Sequence, residues 1–149
     1  MITETIAKEI LQSFSEAEGG EFSLDENGNC SIISDEERVT HLHFNSELGE
    51  IQLCGIVGQL PYDNEELSTD IIRYFMVSNF MWIDSMGGTF SLEPDNNNIL
   101  FQKSYKDANE LKENFKGILV RFDNELGYWM NTFLHLPEEL DDIDVENNG

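Results

Sequence analysis

The segment from Glu65 to Met86 limits the folds open to this chain more than any other stretch. Its spacing predicts one long helix. Leu67, Ile71, Phe75 and Trp82 share a stripe, Ile72, Met76 and Ile83 widen it, and Tyr74, Val77 and Met81 lie on a further face. A surface helix carries one apolar stripe, whereas a helix apolar nearly all round is covered on more than one side. A chain of 149 residues can build one sizeable core, but has little left to cover such a helix twice. The segment therefore reads as shared between the core and a second subunit. That makes the protein a homodimer, with Tyr74, Val77 and Met81 at the interface.

The elements around it follow from periodicity. Ile6, Ile10 and Phe14 recur every four residues, so residues 3–17 read as a helix opened by Thr3 and closed by Gly19-Gly20. Four short strands follow: Phe22 to Leu24, a strand through Cys30 and Ile32, Val39 to Phe44, and Ile51 to Val57. Asp25-Glu26-Asn27-Gly28 supplies the first hairpin turn. After the central helix, Phe90-Leu92 and Ile99-Tyr105 form a second hairpin. Leu111, Phe115, Ile118, Phe122, Leu126, Trp129 and Phe133 then keep helical spacing from Asp107 to Leu136, where Pro137 is expected to stop the helix. The order helix, four strands, helix, two strands, helix is an α+β arrangement: three helices on a twisted antiparallel sheet. Residues 1–136 read as a single domain. Residues 137–149 carry six acids and no base, and read as a disordered, solvated tail.

Charge narrows the partners. Thirty acids face eight Lys and Arg, for a net −22. Phosphate backbones and anionic membranes are repelled by such a body, so neither nucleic acid nor a membrane surface is expected as a partner. The first residues lack the basic start and apolar run of a signal peptide, which makes the cytoplasm the expected compartment. Cys30 and Cys54 stand outside any CxxC pair and read as buried, reduced thiols.

Chemistry is hard to find. The sequence holds no GxSxG, P-loop, GxGxxG or HExxH. His41 and His43 share a strand face, but a metal would need further ligands, so they read as solvent-facing. The turn at Asp25 lacks the bidentate Glu of a calcium loop. No catalytic group, metal or cofactor is implied, and the chain reads as a binding protein.

Several stretches resemble landmarks of the class I type III secretion chaperones, the CesT or Tir-chaperone-like family. Phe22-Ser-Leu-Asp-Glu-Asn-Gly-Asn-Cys-Ser-Ile is similar to that family's first hairpin. Ile51-Gln-Leu-Cys-Gly-Ile-Val-Gly-Gln-Leu-Pro resembles its apolar strand and Gly-x-Leu-Pro loop. Phe75-Met-Val-Ser-Asn79 resembles a segment of its central helix, and Phe90-Ser-Leu-Glu-Pro-Asp its second hairpin. The resemblance implies a bacterial cytoplasmic homodimer that holds the N-terminal segment of a secreted effector extended and non-globular, with secretion-apparatus components as further candidate partners. Strand addition at a sheet edge and side chains in apolar grooves would hold such cargo. The candidate cargo surface is Ile6, Ile10 and Phe14 on the first helix with Phe22, Leu24, Cys30, Ile32, Leu42 and Phe44 on the strands. The competing reading is a small acidic immunity or inhibitor protein that binds a basic toxin through charge alone.

Overall fold

Capping at both ends fixes the first helix. In the computed structural model, which describes residues 1–148 and the side chains of residues 1–141, α1 spans Glu4–Glu18. The Thr3 hydroxyl accepts from the Ile6 N–H at 3.2 Å, and Gly19 closes the helix at φ 75°. The strands β1 (Asn29–Ile33), β2 (Val39–Asn45) and β3 (Glu50–Gln59) follow, then α2 (Glu65–Ser78), β4 (Thr89–Glu93), β5 (Asn98–Tyr105) and α3 (Ala108–Asn148). The five strands form one sheet in the order β1-β2-β3-β5-β4.

Three expectations change. Phe22 to Leu24 is not a strand. Ser15 holds that segment instead: its hydroxyl oxygen accepts from the Phe22 N–H at 2.8 Å and lies 3.0 Å from the Phe22 carbonyl. With Phe22's backbone groups engaged by α1, they are not free for a ladder, and the sheet has five strands rather than six. The central helix stops at Ser78, and a single 3-10 turn, Phe80–Trp82, replaces its last turns. Met81, Trp82 and Met86 take positive φ there, which an α-helix cannot accommodate. Pro137 does not end the last helix, which runs on to Asn148. The expected tail is therefore helical from residue 137 onward along the backbone, and its side chains from residue 142 lie outside the described residues.

The chain forms two compact units, Met1–Gly55 with Gln102–Asn124, and Ile56–Phe101 with the chain from Glu125 onward; β3, β5 and α3 pass from one to the other. In the first unit, cross-strand pairs Cys30↔Leu42, Leu42↔Leu53 and Phe44↔Ile51 set the inner sheet face. Buried Ala7, Ile10 and Leu11 of α1 and Leu111, Phe115 and Phe122 of α3 complete that unit's core. Gly28 has no substitute in the turn before β1. Its φ is +80°, and a Cβ there would meet the Phe44 carbonyl oxygen at 3.0 Å. In the second unit an aromatic cluster dominates. Phe75 lies 4.8 Å from Phe90 and 6.3 Å from Trp129, and Phe90 lies 4.8 Å from Trp129. Such tilted and edge-on pairs add stability beyond the area they bury.

Candidate cargo-binding surface

The residues expected to meet cargo fall into two sets. Ile10, Ile32, Leu42 and Phe44 are buried in the core of the first unit. Ile6, Phe14, Phe22, Leu24 and Cys30 remain partly exposed. Three aromatic rings link part of this second set: Phe14 lies 5.0 Å from Phe22 and 5.3 Å, edge-on, from Phe115 of α3. The Cys30 thiol is pushed above its ordinary value, chiefly by burial.

Two concavities flank this aromatic ridge. One, about 610 Å³, lies between α1 and the segment Glu21–Leu24, with Leu11, Phe22 and Leu24 among its walls. The other, about 270 Å³, lies where α1 and α3 meet the β1–β2 turn. Phe14, Ile32, Leu119 and Val120 give it an apolar lining, and Ile33 stands beside them 68% exposed. The turn is tied down at its far end. Arg38 Nη2 and Nε reach the two carboxylate oxygens of Asp123 on α3 at 2.8 and 3.2 Å. A fork of this kind is geometrically specific as well as strong. Leu119 and Val120 were not singled out from the sequence. Val120 sits off the main apolar stripe of the last helix, and that displacement was the available signal.

The outer sheet face is polar at this point. His41 pairs with Ser31 at 3.0 Å and His43 with Asn29 at 2.8 Å. Among the described residues, no three His, Cys, Asp or Glu side chains converge as a metal would require. Among the described residues, no helix is long and apolar enough to cross a membrane.

In the second unit, exposed apolar side chains concentrate at the end of α2 and in the turn after it. Val77 is 62% exposed, Met81 68%, and Phe80, Trp82 and Ile83 are similarly open. Tyr74 is half-buried, and burial raises its hydroxyl pKa, helped by the negative charge of Glu139 and Asp84. Tyr74 and Val77 share a groove with Tyr128 of α3. Met81 stands apart from them, on the left-handed backbone of the 3-10 turn.

Residues 9–129 match the model of the Tir chaperone protein (CesT) family. The chain belongs to that family. As a CesT-family chain it is a type III secretion chaperone, and the inhibitor reading has no comparable support. The family match takes in α1 from Glu9 onward, all five strands and α2, and most of the partly exposed residues named above. Solved structures agree on the fold. The chain is similar to one in the ExsC-ExsE complex, with a TM-score of 0.71 at 20% identity, covering 89% of this chain and 97% of that one. It is similar to one in the HopA1-SchA chaperone-effector complex, with a TM-score of 0.62 at 17% identity over 86% and 92%. A third likeness is to the structure of the Yersinia pestis type III secretion chaperone SycH in complex with a stable fragment of YscM2, with a TM-score of 0.55 at 19% identity over 82% and 98%. No curated protein matches the chain.

Proposed function

We propose that this CesT-family chaperone acts in the bacterial cytoplasm as a homodimer. It holds the N-terminal segment of a secreted effector in extended form and performs no chemistry of its own. The family match over residues 9–129 carries the reading. Its physical counterpart is apolar surface left open beside an ordered core, with Phe14, Phe22 and Leu24 only partly covered. A monomeric soluble protein seldom leaves contiguous apolar surface without a use. The cargo surface is assigned to Ile6, Phe14, Phe22, Leu24 and Cys30, with Ile10, Ile32, Leu42 and Phe44 in the core of the same unit. The dimer surface is assigned to Tyr74, Val77 and Met81, where the second unit exposes its apolar side chains.

Salt separates this reading from charge-only binding. An apolar groove loses little association rate as salt rises, whereas a charge-steered inhibitor loses it steeply. Association kinetics with a secreted effector between low and high salt test the point. A change of severalfold or less supports the groove, and a loss of a hundredfold or more contradicts it.

A further inference from the structure

The smaller concavity of the first unit combines an apolar floor with an acidic rim, and nearly all of its basic charge is already committed. Phe14, Ile32, Leu119 and Val120 form the floor. Asp35 and Glu36 stand exposed on the turn above it. The nearby bases are taken: Lys116 holds Glu18 at 2.8 Å, and Arg38 holds Asp123 at 2.8 Å. The Glu18 hydrogen bond, then its charge, raises the Lys116 pKa and keeps that ammonium charged. What faces an incoming group is therefore an apolar floor edged by Asp35 and Glu36, with Lys116 on the same rim paired to Glu18 and also within reach of the charge of Asp35. At about 270 Å³ the space lies at the small end of the ~300–1,000 Å³ range of small-molecule pockets. It suits one or two aliphatic side chains of a peptide. In an extended peptide, successive side chains point to opposite sides at ~3.3 Å per residue, so the neighbours of a seated side chain reach the rim.

Resting on the chaperone reading above, we propose that this concavity selects the cargo: it takes an extended segment in which an Ile or Leu anchor is flanked by Lys or Arg, the bases being read by Asp35 and Glu36. Apolar floor and acidic rim act together. The floor supplies attraction that salt does not screen, and the rim penalises segments whose flanking residues are acidic.

The test is a titration of the full chain, followed by amide NMR at physiological salt, with the peptide Ser-Lys-Ile-Lys-Leu-Lys-Ser. Two analogues serve as comparisons, one with Glu for every Lys and one with Ser for Ile and Leu. The Lys-Ile-Leu peptide is expected to shift Ile33, Leu119 and Val120 saturably. The Glu analogue should bind at least tenfold more weakly, and the Ser analogue should leave those amides unmoved. The double variant Asp35→Lys, Glu36→Lys, checked for an unchanged melting temperature, should reduce the tenfold preference to under threefold. Equal binding of the Lys and Glu peptides overturns the inference. So do equal shifts by the Ser analogue, or shifts confined to other surfaces. The same double variant is then assayed with a secreted effector. Undiminished effector affinity overturns the selection role and leaves the chaperone reading intact, while failure of the unaltered chain to bind any secreted effector is the failure of that reading.

Discussion

Asn79 and Phe90 are joined twice: the Asn79 carboxamide oxygen accepts from the Phe90 N–H at 2.7 Å, and its NH2 donates to the Phe90 carbonyl at 2.9 Å. One side chain thus acts as a missing strand partner for the start of β4. It also sits just past the last residue of α2, where its own N–H still bonds back to the helix. The chain leaves helical geometry at this point, and Phe90 is fixed against Phe75 and Trp129.

Replacing Asn79 with Ala removes both bonds and leaves two partly buried backbone groups without a partner. Thermal or denaturant unfolding should show a loss of about 2–4 kcal/mol. Asn79→Asp keeps the acceptor but sets a carboxylate oxygen against the Phe90 carbonyl in place of the NH2 donor, so it too should be less stable than the unaltered chain. An Asn79→Ala protein as stable as the parent would contradict the role.

The Arg38–Asp123 fork is a long-range tie, 85 residues apart in sequence. Both side chains are mostly buried, so losing one partner leaves a charge without its counterpart. Asp123→Asn and Arg38→Gln should each cost about 1–3 kcal/mol. The double variant should cost less than the sum, because the two residues share one interaction. Strict additivity in a double-mutant cycle would show that the pair contributes nothing.

Changing Val77 to Glu should convert the proposed dimer to monomer. Each apolar side chain covered by a second copy contributes roughly 1.5–3 kcal/mol, and a carboxylate in that position opposes association. Trp82, 60% exposed in the single chain, should become easier to quench in the variant. Sedimentation of the unaltered protein as a monomer at micromolar concentration would contradict the interface.

Cys30 offers a pH test. Burial first, then the charge of Asp25, raises its pKa, against an opposing hydrogen bond from the Ser23 backbone. A thiol whose folded pKa lies above its unfolded value of ~8.5 contributes stability that is fully present below that value. The contribution is lost as pH rises through the folded pKa. In a Cys54→Ser background, alkylation of Cys30 near pH 8.5 should be slower in the folded protein than in denaturant. Equal rates would contradict the raised pKa.

Much of the architecture was legible because it rests on local rules. Thr3, Gly19 and Gly28 have only one good use each, and the alternation of Leu42 and Phe44 with His41 and His43 fixed the inner and outer faces of β2. Two of the failures share a cause, which is that a polar side chain bonding to backbone outside its own element overrode local pattern. Ser15 drew Phe22 out of the sheet. Asn79 closed the central helix early, although Phe80 to Ile83 keep the apolar character of a helix. Pro137 did not break α3. The cargo surface was located as a region but not resolved residue by residue, because apolar periodicity does not say how much of a side chain stays uncovered. Val120 and the acidic turn came into view only when α3 and the β1–β2 turn were placed side by side.

The central claim is that cargo is held as an extended N-terminal segment. The most direct measurement is limited proteolysis of the complex between the full chain and a secreted effector, with the protected effector fragment mapped by mass spectrometry. Protection confined to one segment near the effector's N-terminus, lost on changing Phe22 to Asp without a fall in melting temperature, is the expected result. Protection of a folded effector domain elsewhere in its chain, unaffected by Phe22→Asp, would contradict the account.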